Sequence, residues 1–287
     1  MKSRNFDGKI ALVTGGSSGI GLSISRLLVR QGAHVWLIAR RENLLEEAAA
    51  QLRTEVRAPG QRIEIISADI SSELAVGEAI DRIIAETDLP HLVINSGGVT
   101  RPGYVQDLSL DIFREMIEIN YLGTIYITKA VLNGMLRRGS GHIVNVSSMA
   151  GLVGVFGYTA YGASKFAVRG FTDALRAEVK GLGIDVSIVY PPDTDTPQLA
   201  YDNKYKPPET KAISRLNSVL PPEKVAGAIL DGIIHRRYMI LPGFDSKLSY
   251  WLISLSGALV YPAMDWLVAR ERRKLKALIT RESTESS

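Results

Sequence analysis

The stretch KIALVTGGSSGIG, residues 9–21, contains the first strand, the first turn and the start of the first helix of this chain. The apolar run from Lys9 to Thr14 predicts a short, fully buried strand, and a helix is predicted at about residues 19–31. Glycines 15, 19 and 21 lie in the turn between them. Glycine lets the backbone approach a phosphate, and a helix amino terminus favours negative charge, so this context predicts a pyrophosphate site. A tight turn without a ligand is the alternative.

Strand-like and helix-like segments alternate along the chain from this stretch to about residue 242. Strands are predicted at 9–14, 33–39, 62–68, 91–95, 141–147, 185–190 and 238–241. Helices are predicted at 19–31, 43–57, 72–87, 110–138 and 161–180 and from Pro222 onward, with an irregular loop at 191–220 that closes over a substrate. Continuous apolar strands joined by helices indicate an α/β fold with a doubly wound parallel sheet, the Rossmann fold.

The predicted organisation is one domain with an extension. Residues 1–243 form the nucleotide-binding and catalytic domain, 244–279 an apolar and basic helical extension, and 280–287 a polar, disordered tail. A chain of 287 residues with 46% hydrophobic residues can bury a substantial core.

Composition excludes several classes of function. The net charge of +4 is modest, so nucleic acid is not an expected partner. The chain has no cysteine, which excludes disulfides and thiol nucleophiles, and its four scattered histidines predict no metal site. The amino terminus lacks the apolar segment of a secretory signal, so we expect a cytoplasmic protein, either free in the cytoplasm or peripheral on the cytoplasmic face of a membrane.

The end of the second predicted strand indicates which dinucleotide binds. NAD enzymes place an acidic residue here to hold the ribose 2′-hydroxyl, whereas this chain has Ala39, Arg40 and Arg41. A guanidinium grips a 2′-phosphate with two parallel hydrogen bonds, so the sequence predicts NADPH. The alternative is a solvated arginine pair at a strand end.

The stretch YGASK, residues 161–165, places a phenol and an ammonium one turn apart on a helix face. A phenol with its ordinary pKa of about 10 is a poor acid at neutral pH. A nearby ammonium favours the phenolate and lowers that pKa, which predicts a proton donor at Tyr161. The pair is common by chance on helices, so it depends on the rest of the chain for support.

Several motifs follow one another in a fixed order. They are GGSSGIG at 15–21, DIS at 69–71, NSGG at 95–98, Asn120, SS at 147–148 and Tyr161 with Lys165. Together they resemble the short-chain dehydrogenase/reductase family over about residues 8–242. The resemblance implies a Rossmann fold, a nicotinamide cofactor and the reduction or oxidation of a carbonyl group.

The resemblance also implies roles for individual residues. Tyr161 would be the general acid, and Lys165 would bind the nicotinamide ribose and lower the tyrosine pKa. Ser148 would polarise the carbonyl, and the backbone of Asn120 would hold a proton-relay water. The residues implied to bind the cofactor are Gly15, Ser17, Ser18, Gly19, Ile20, Gly21, Arg40, Arg41, Asp69, Ile70, Asn95, Gly97, Tyr161, Lys165, Pro191, Thr194 and Thr196. Asn95 begins a turn that departs from the family's Asn-Asn-Ala-Gly, and Pro191-Pro192 replaces its usual Pro-Gly.

The substrate class rests on narrower motifs. GLVGVFGYTAY at 151–161 and YPPDTDTP at 190–197 resemble a subgroup that reduces the 3-keto group of a long-chain 2-amino ketone in sphingolipid synthesis. Asp193 or Asp195 would hold the amino group, unless both only form Asx turns. The alternatives are a reductase of another hydrophobic ketone, such as a 3-oxoacyl chain or a hydroxysteroid, and a dinucleotide-sensing protein without catalysis.

Residues 248–264 carry no charge, and a basic run at 270–276 follows them. The apolar run is short for a membrane span and contains Pro262, but Tyr250, Trp251 and Tyr261 within it and Trp266 just after it are typical of a bilayer interface. With the basic run, it predicts a monotopic or re-entrant element within 248–276. The alternative is a helical pair that covers the substrate pocket or forms a dimer interface. The resemblance further implies a homo-oligomer, either a dimer or a tetramer.

Overall fold

Seven parallel strands form the central sheet in the computed structural model, which describes residues 6–215 and 218–285. The strands are β1 (Ile10–Thr14), β2 (His34–Ala39), β3 (Ile63–Ser67), β4 (Leu92–Asn95), β5 (Gly141–Val146), β6 (Ile184–Val189) and β7 (Met239–Ile240). Their order is β3-β2-β1-β4-β5-β6-β7. The order reverses between β1 and β4, and parallel sheets bind ligands in the crevice at this switch point.

Eleven α-helices are assigned within the described residues. They are α1 (Gly19–Arg30), α2 (Glu42–Arg53), α3 (Glu73–Glu86), α4 (Leu110–Met116), α5 (Gly123–Arg138), α6 (Thr159–Glu178), α7 (Pro197–Tyr205), α8 (Pro208–Ser214), α9 (Pro222–Ile234), α10 (Gly243–Ser256) and α11 (Val260–Glu285). One apolar cluster joins the sheet to α1, α2 and α9, and a second joins its other face to α3, α5 and α6. The predicted doubly wound α/β fold is therefore confirmed.

Two predicted segments have a different structure. The helix predicted at 110–138 contains a π-helical turn, Ile117–Leu122, between α4 and α5. The loop predicted to be irregular at 191–220 contains α7 and α8. Thr196 caps α7 by accepting a hydrogen bond from the Leu199 amide at 3.3 Å. Proline begins both helices, where its missing amide hydrogen costs nothing.

The carboxyl-terminal extension is a bent pair of helices. α10 ends before Gly257, whose φ of +51° breaks the helix, and α11 then runs to Glu285. The tail predicted to be disordered at 280–287 is therefore helical as far as 285, because extending an existing helix costs far less than nucleating one. Residues 286–287 lie outside the described part of the chain.

Candidate active site

The glycine-rich turn brings two stretches of backbone into close contact. Gly15 has a φ of +66°, and a Cβ on it would lie 2.9 Å from the Cα of Gly97. A Cβ on Gly21 would lie 2.3 Å from the carbonyl oxygen of Gly15. Among the described contacts, the Ser18 side chain does not cap α1, so the first amide groups of this helix are left for an anion. The turn therefore fits the pyrophosphate of a dinucleotide.

A cavity of about 520 Å³ runs from this turn across the carboxyl ends of the strands. Most of the predicted site residues line it. They are Gly15, Ser17, Ser18, Gly19, Ile20, Gly21, Arg40, Arg41, Asp69, Ile70, Gly97, Ser148, Tyr161, Lys165, Pro191, Thr194 and Thr196. One cavity therefore contains both the glycine turn and the Tyr161–Lys165 pair, which are far apart in the sequence.

Asn95, predicted to bind the cofactor, is not among the residues that line the cavity. It is buried at the end of β4, where its Nδ2 donates to Asn145 Oδ1 at 2.8 Å and to Thr128 Oγ1 at 3.3 Å. The side chain is therefore committed to holding β4 against β5 and α5. The cavity wall beyond it is formed by Ser96 and Gly98, which the sequence motif had placed only in a polar turn.

At the far end of the cavity, two arginines follow β2 as predicted. Nη1 of Arg40 lies 4.0 Å from Oδ2 of Asp69, and the Arg40 side chain is half-exposed. Oδ1 of Asp69 accepts hydrogen bonds from the amide and hydroxyl of Ser71. This end therefore presents both positive and negative charge to a ribose-sized group.

Tyr161 and Lys165 share one face of α6 beside the end of β5. Nζ of Lys165 donates to the carbonyl oxygen of Val146 at 3.0 Å and lies 5.7 Å from the centre of the Tyr161 ring. The other predicted hydroxyl, that of Ser148, lies close enough to the Tyr161 hydroxyl to lower its pKa. A carbonyl oxygen in this part of the cavity would therefore meet two hydroxyl groups at once.

Burial controls the acidity of this pair. It raises the pKa of the Tyr161 hydroxyl above the ordinary value, the hydrogen bond from Ser148 opposes this, and the carboxylates of Asp202 and Asp193 add to it. Burial also lowers the pKa of Lys165 to about 8. An ammonium with a pKa of about 8 is still mostly protonated at neutral pH, and the predicted lowering of the Tyr161 pKa by Lys165 stays a prediction.

Asn120 lies in the π-helical turn behind the cavity wall. Its Oδ1 accepts a hydrogen bond from the Val99 amide at 2.8 Å, and its Nδ2 donates to Ser164 Oγ at 2.9 Å. Its backbone carbonyl accepts the hydroxyl of Thr124 at 2.9 Å. Asn120 therefore links the loop after β4 to the helix that carries Tyr161, and its predicted water-relay role stays a prediction.

The substrate end of the cavity contains charged residues that the sequence motifs did not reveal. Nζ of Lys206, whose side chain is 1% exposed, donates to Oδ2 of Asp193 at 3.0 Å. Asp202 on α7 accepts a hydrogen bond from the hydroxyl of Tyr158, and both line the cavity. Asp195, the other predicted partner of an amino group, is exposed and is not among the lining residues.

The position of Asp202 on α7 could have been predicted from the sequence. Thr196-Pro197 is a typical helix start, and the helix that it begins places Leu199 and Asp202 three residues apart on one face. Both residues line the cavity. Recognising α7 from this start would have added Asp202 to the candidate site residues.

A second cavity, of about 450 Å³, lies between the start of α6 and α11. Its lining is mostly apolar and includes Phe156, Phe166, Tyr261, Met264 and Val268. Tyr158 borders both cavities. An apolar space thus adjoins the substrate end of the main cavity.

The fold, the glycine turn and the Ser148–Tyr161–Lys165 group together define a dinucleotide-dependent oxidoreductase. A sequence profile described as "short chain dehydrogenase" matches residues 9–206, and the chain belongs to this family. A solved structure of a short-chain dehydrogenase/reductase from Burkholderia phymatum in complex with NAD has the same fold. Its TM-score is 0.78 at 24% identity, over 89% of this chain and 96% of that one.

Comparison with curated proteins gives relatives with named activities. The chain is 40% identical over 250 residues to a 3-ketodihydrosphingosine reductase of Bos taurus. The aligned residues cover 87% of this chain and 74% of that protein. It is 39% identical to a 3-dehydrosphinganine reductase of Danio rerio, over 83% of this chain and 72% of that one. A fatty acyl-CoA reductase of Acinetobacter baylyi is 33% identical, over 81% of this chain and 75% of that protein.

Proposed function

We propose that this protein catalyses the NADPH-dependent reduction of the 3-keto group of 3-ketodihydrosphingosine to dihydrosphingosine, a step of sphingolipid biosynthesis. The observation that carries the proposal is the similarity to 3-ketodihydrosphingosine reductases over 87% of the chain. The cavity in which Ser148, Tyr161 and Lys165 meet the glycine turn supplies the matching chemistry.

The residues of the chain act on the carbonyl oxygen and its proton. When bound, the reduced nicotinamide supplies the hydride. Ser148 and Tyr161 donate hydrogen bonds to the oxygen, where negative charge develops, and Tyr161 then transfers its proton to it. Lys165 would hold the nicotinamide ribose, and its ammonium charge would favour the phenolate form of Tyr161.

NADPH is the proposed form of the cofactor because of the residues that follow β2. Arg40 and Arg41 line the cavity, and β2 ends in Ala39, where NAD enzymes have a carboxylate. A 2′-phosphate would find two guanidinium groups within reach. Initial-rate kinetics that favour NADH over NADPH would contradict this assignment.

We also propose that the protein is cytoplasmic and binds peripherally to a membrane through the bent pair α10 and α11. Of the helices in the described part of the chain, none alone is long and apolar enough to cross a bilayer. The pair Gly243–Ser256 and Tyr261–Lys274, bent by 116°, has sufficient length and apolar character. Its exposed apolar residues include Trp251, Leu252, Leu255 and Trp266, which suit a bilayer interface.

The same helices border the substrate region, so covering the pocket is compatible with membrane contact. Ser246 and Ser249 of α10 line the main cavity, and α11 lines the second one. This arrangement suits a lipid-like ketone that enters from the membrane side. Flotation of the full-length protein with anionic vesicles tests the membrane contact, and protein that stays in the soluble fraction would contradict it.

The function is tested by NADPH consumption with 3-ketodihydrosphingosine, a 3-oxoacyl thioester and a 3-ketosteroid, each with and without lipid vesicles. We expect the amino ketone to give the highest kcat/KM. Turnover of only the thioester or the steroid would replace the proposed substrate by another hydrophobic ketone. Tight NADPH binding with no turnover of any ketone would favour a dinucleotide-sensing protein.

The homo-oligomer implied by the family, a dimer or a tetramer, is tested by light scattering.

A further inference from the structure

A buried carboxylate on α7 has an acceptor oxygen that no protein group uses. Asp202 is 6% exposed, and its Oδ2 accepts a hydrogen bond from the Tyr158 hydroxyl at 3.2 Å. Within the described residues, Oδ1 of Asp202 accepts no hydrogen bond of normal geometry, and the Thr100 hydroxyl, which is near enough to lower the pKa of this carboxyl, is likewise without a partner. A buried carboxylate oxygen without a donor is costly, so its presence in a cavity wall indicates a place for a ligand group that donates.

The charges around Asp202 show why this carboxylate is available and its neighbour is not. Oδ2 of Asp193 pairs with Nζ of Lys206 at 3.0 Å, and that ammonium also donates to Ser214 Oγ at 3.2 Å. Burial raises the pKa of Asp202 to about 7, and the charge of Lys206 and the hydroxyls of Tyr158 and Thr100 oppose this rise. A bound cation would favour the ionised form of Asp202.

The free oxygen is close to the site of proton transfer. The rings of Tyr158 and Tyr161 have centres 5.5 Å apart, and the carboxylate of Asp202 is near enough to raise the pKa of Tyr161. In a 2-amino ketone, the ammonium is on the carbon next to the carbonyl. A carbonyl oxygen that accepts a hydrogen bond from Tyr161 would therefore place this ammonium in the part of the cavity that contains Asp202.

We propose that Asp202 is the ammonium subsite of the active site. Its free oxygen accepts an N–H of the 2-ammonium group of a long-chain 2-amino ketone, while the Tyr158 hydroxyl positions the carboxylate. The inference rests on the proposed function and identifies the group of the substrate that is recognised. It replaces the sequence-based assignment of this role to Asp193 or Asp195.

The test compares two ketones of equal chain length, 3-ketodihydrosphingosine and its analogue with hydrogen in place of the 2-amino group. Asp202→Asn keeps the side-chain volume and an acceptor for Tyr158 but removes the charge. We expect kcat/KM for the amino ketone to fall about 30- to 300-fold, and kcat/KM for the analogue to change less than about threefold. Asp195→Asn, an exposed control, should leave both values unchanged.

Each other outcome has a distinct meaning. Equal losses with both ketones in Asp202→Asn would overturn the ammonium subsite and leave the proposed function standing. Wild-type protein that reduces only the analogue would overturn the proposed function and the subsite together.

NADPH binding, followed by its fluorescence, shows whether Asp202→Asn folds. If it does not fold, Tyr158→Phe is measured instead. A severalfold lower preference for the amino ketone would support the subsite, and an unchanged preference would overturn it.

Discussion

The cofactor wall and the substrate wall of the cavity are held together in different ways. The cofactor wall consists of strand ends and the glycine turn, where the backbone at Gly15 and Gly97 is too close for a Cβ. The substrate wall is built by side chains of α7, α8, the extension and the loops beside them, such as the buried Lys206 between α7 and α8, which pairs with the partly exposed Asp193 after β6. Backbone contacts between glycines fix the geometry of the cofactor wall locally, whereas the substrate wall depends on pairs of side chains from separate segments.

The contact between α8 and α11 is a second example from the substrate wall. Glu209 on α8 is 3% exposed and accepts hydrogen bonds from the Tyr104 hydroxyl at 2.9 Å and from Nε of Arg272 at 3.2 Å. Arg272 is on α11, and its guanidinium lies 5.4 Å from the centre of the Phe156 ring. A buried carboxylate thus attaches the carboxyl-terminal extension to the substrate wall.

The largest effect is expected from Tyr161→Phe, which tests whether both walls serve one reaction. Removing the proton donor should lower kcat by about 10²- to 10⁴-fold and leave NADPH binding nearly intact. Tyr205→Phe makes the same change at an exposed position of α7 and should retain the wild-type rate. A Tyr161→Phe protein with normal turnover would exclude this residue as the acid.

Gly21→Ala tests the backbone contact in the cofactor wall. The new Cβ would lie 2.3 Å from the Gly15 carbonyl oxygen, so the turn must open and NADPH binding should be lost. Gly77→Ala is the matched control, because a Cβ there meets nothing within 4 Å in α3. It should stabilise the protein by roughly 0.5–1 kcal/mol. Thermal unfolding and NADPH titration measure both variants, and tight NADPH binding by Gly21→Ala would contradict the prediction.

The pH dependence of stability tests the burial of Asp202 in the substrate wall. Its pKa is about 7 in the folded protein, against about 3.9 in an unfolded chain. The folded protein keeps a proton that the unfolded chain releases, so stability should fall as the pH rises from about 4 to about 7. Asp202→Asn has no proton to lose at this position. Its free energy of unfolding should therefore rise by roughly 1–4 kcal/mol relative to that of the wild type across that window. Urea unfolding at several pH values measures the difference, and parallel curves would contradict it.

Replacing both Arg40 and Arg41 by alanine tests the selectivity of the cofactor wall. Loss of the two guanidinium groups should reduce the ratio of kcat/KM for NADPH to that for NADH by about 10- to 100-fold. Arg57→Ala, at an exposed position after α2, serves as the control for removal of positive charge. A ratio unchanged in the double variant would show that selectivity arises elsewhere.

The smallest effects concern the contact of α11 with the substrate wall. Glu209→Gln should lower the free energy of unfolding by about 1–3 kcal/mol, because this buried carboxylate receives two hydrogen bonds. Arg272→Ala should cost less than about 1 kcal/mol, because the arginine side chain is 60% exposed and water screens its charge. Urea unfolding compares the two, and an equal cost would mean that the ion pair, not the buried acceptor, stabilises the contact.

The parts of this protein that could be predicted from its sequence are those with local causes. Apolar strand runs, helix periodicity and the glycines of the first turn depend on near neighbours, and they predicted the doubly wound fold and the tight turn between β1 and α1. Tyr161 and Lys165 are one turn apart in any helix, so their shared face followed from spacing alone. The family resemblance then placed Ser148 with them, and the three residues line one cavity.

The tertiary structure alone decided the properties that depend on distant residues. Asp202 accepts a hydrogen bond from Tyr158, 44 positions away in the sequence. Asn95 points into the sheet because Asn145 and Thr128 accept hydrogen bonds from its side-chain amide. The raised pKa of Tyr161 likewise comes from burial by many segments. Spacing along a chain determines which side chains share a face, but burial and pairing depend on how the elements pack, and no short stretch of sequence contains that information.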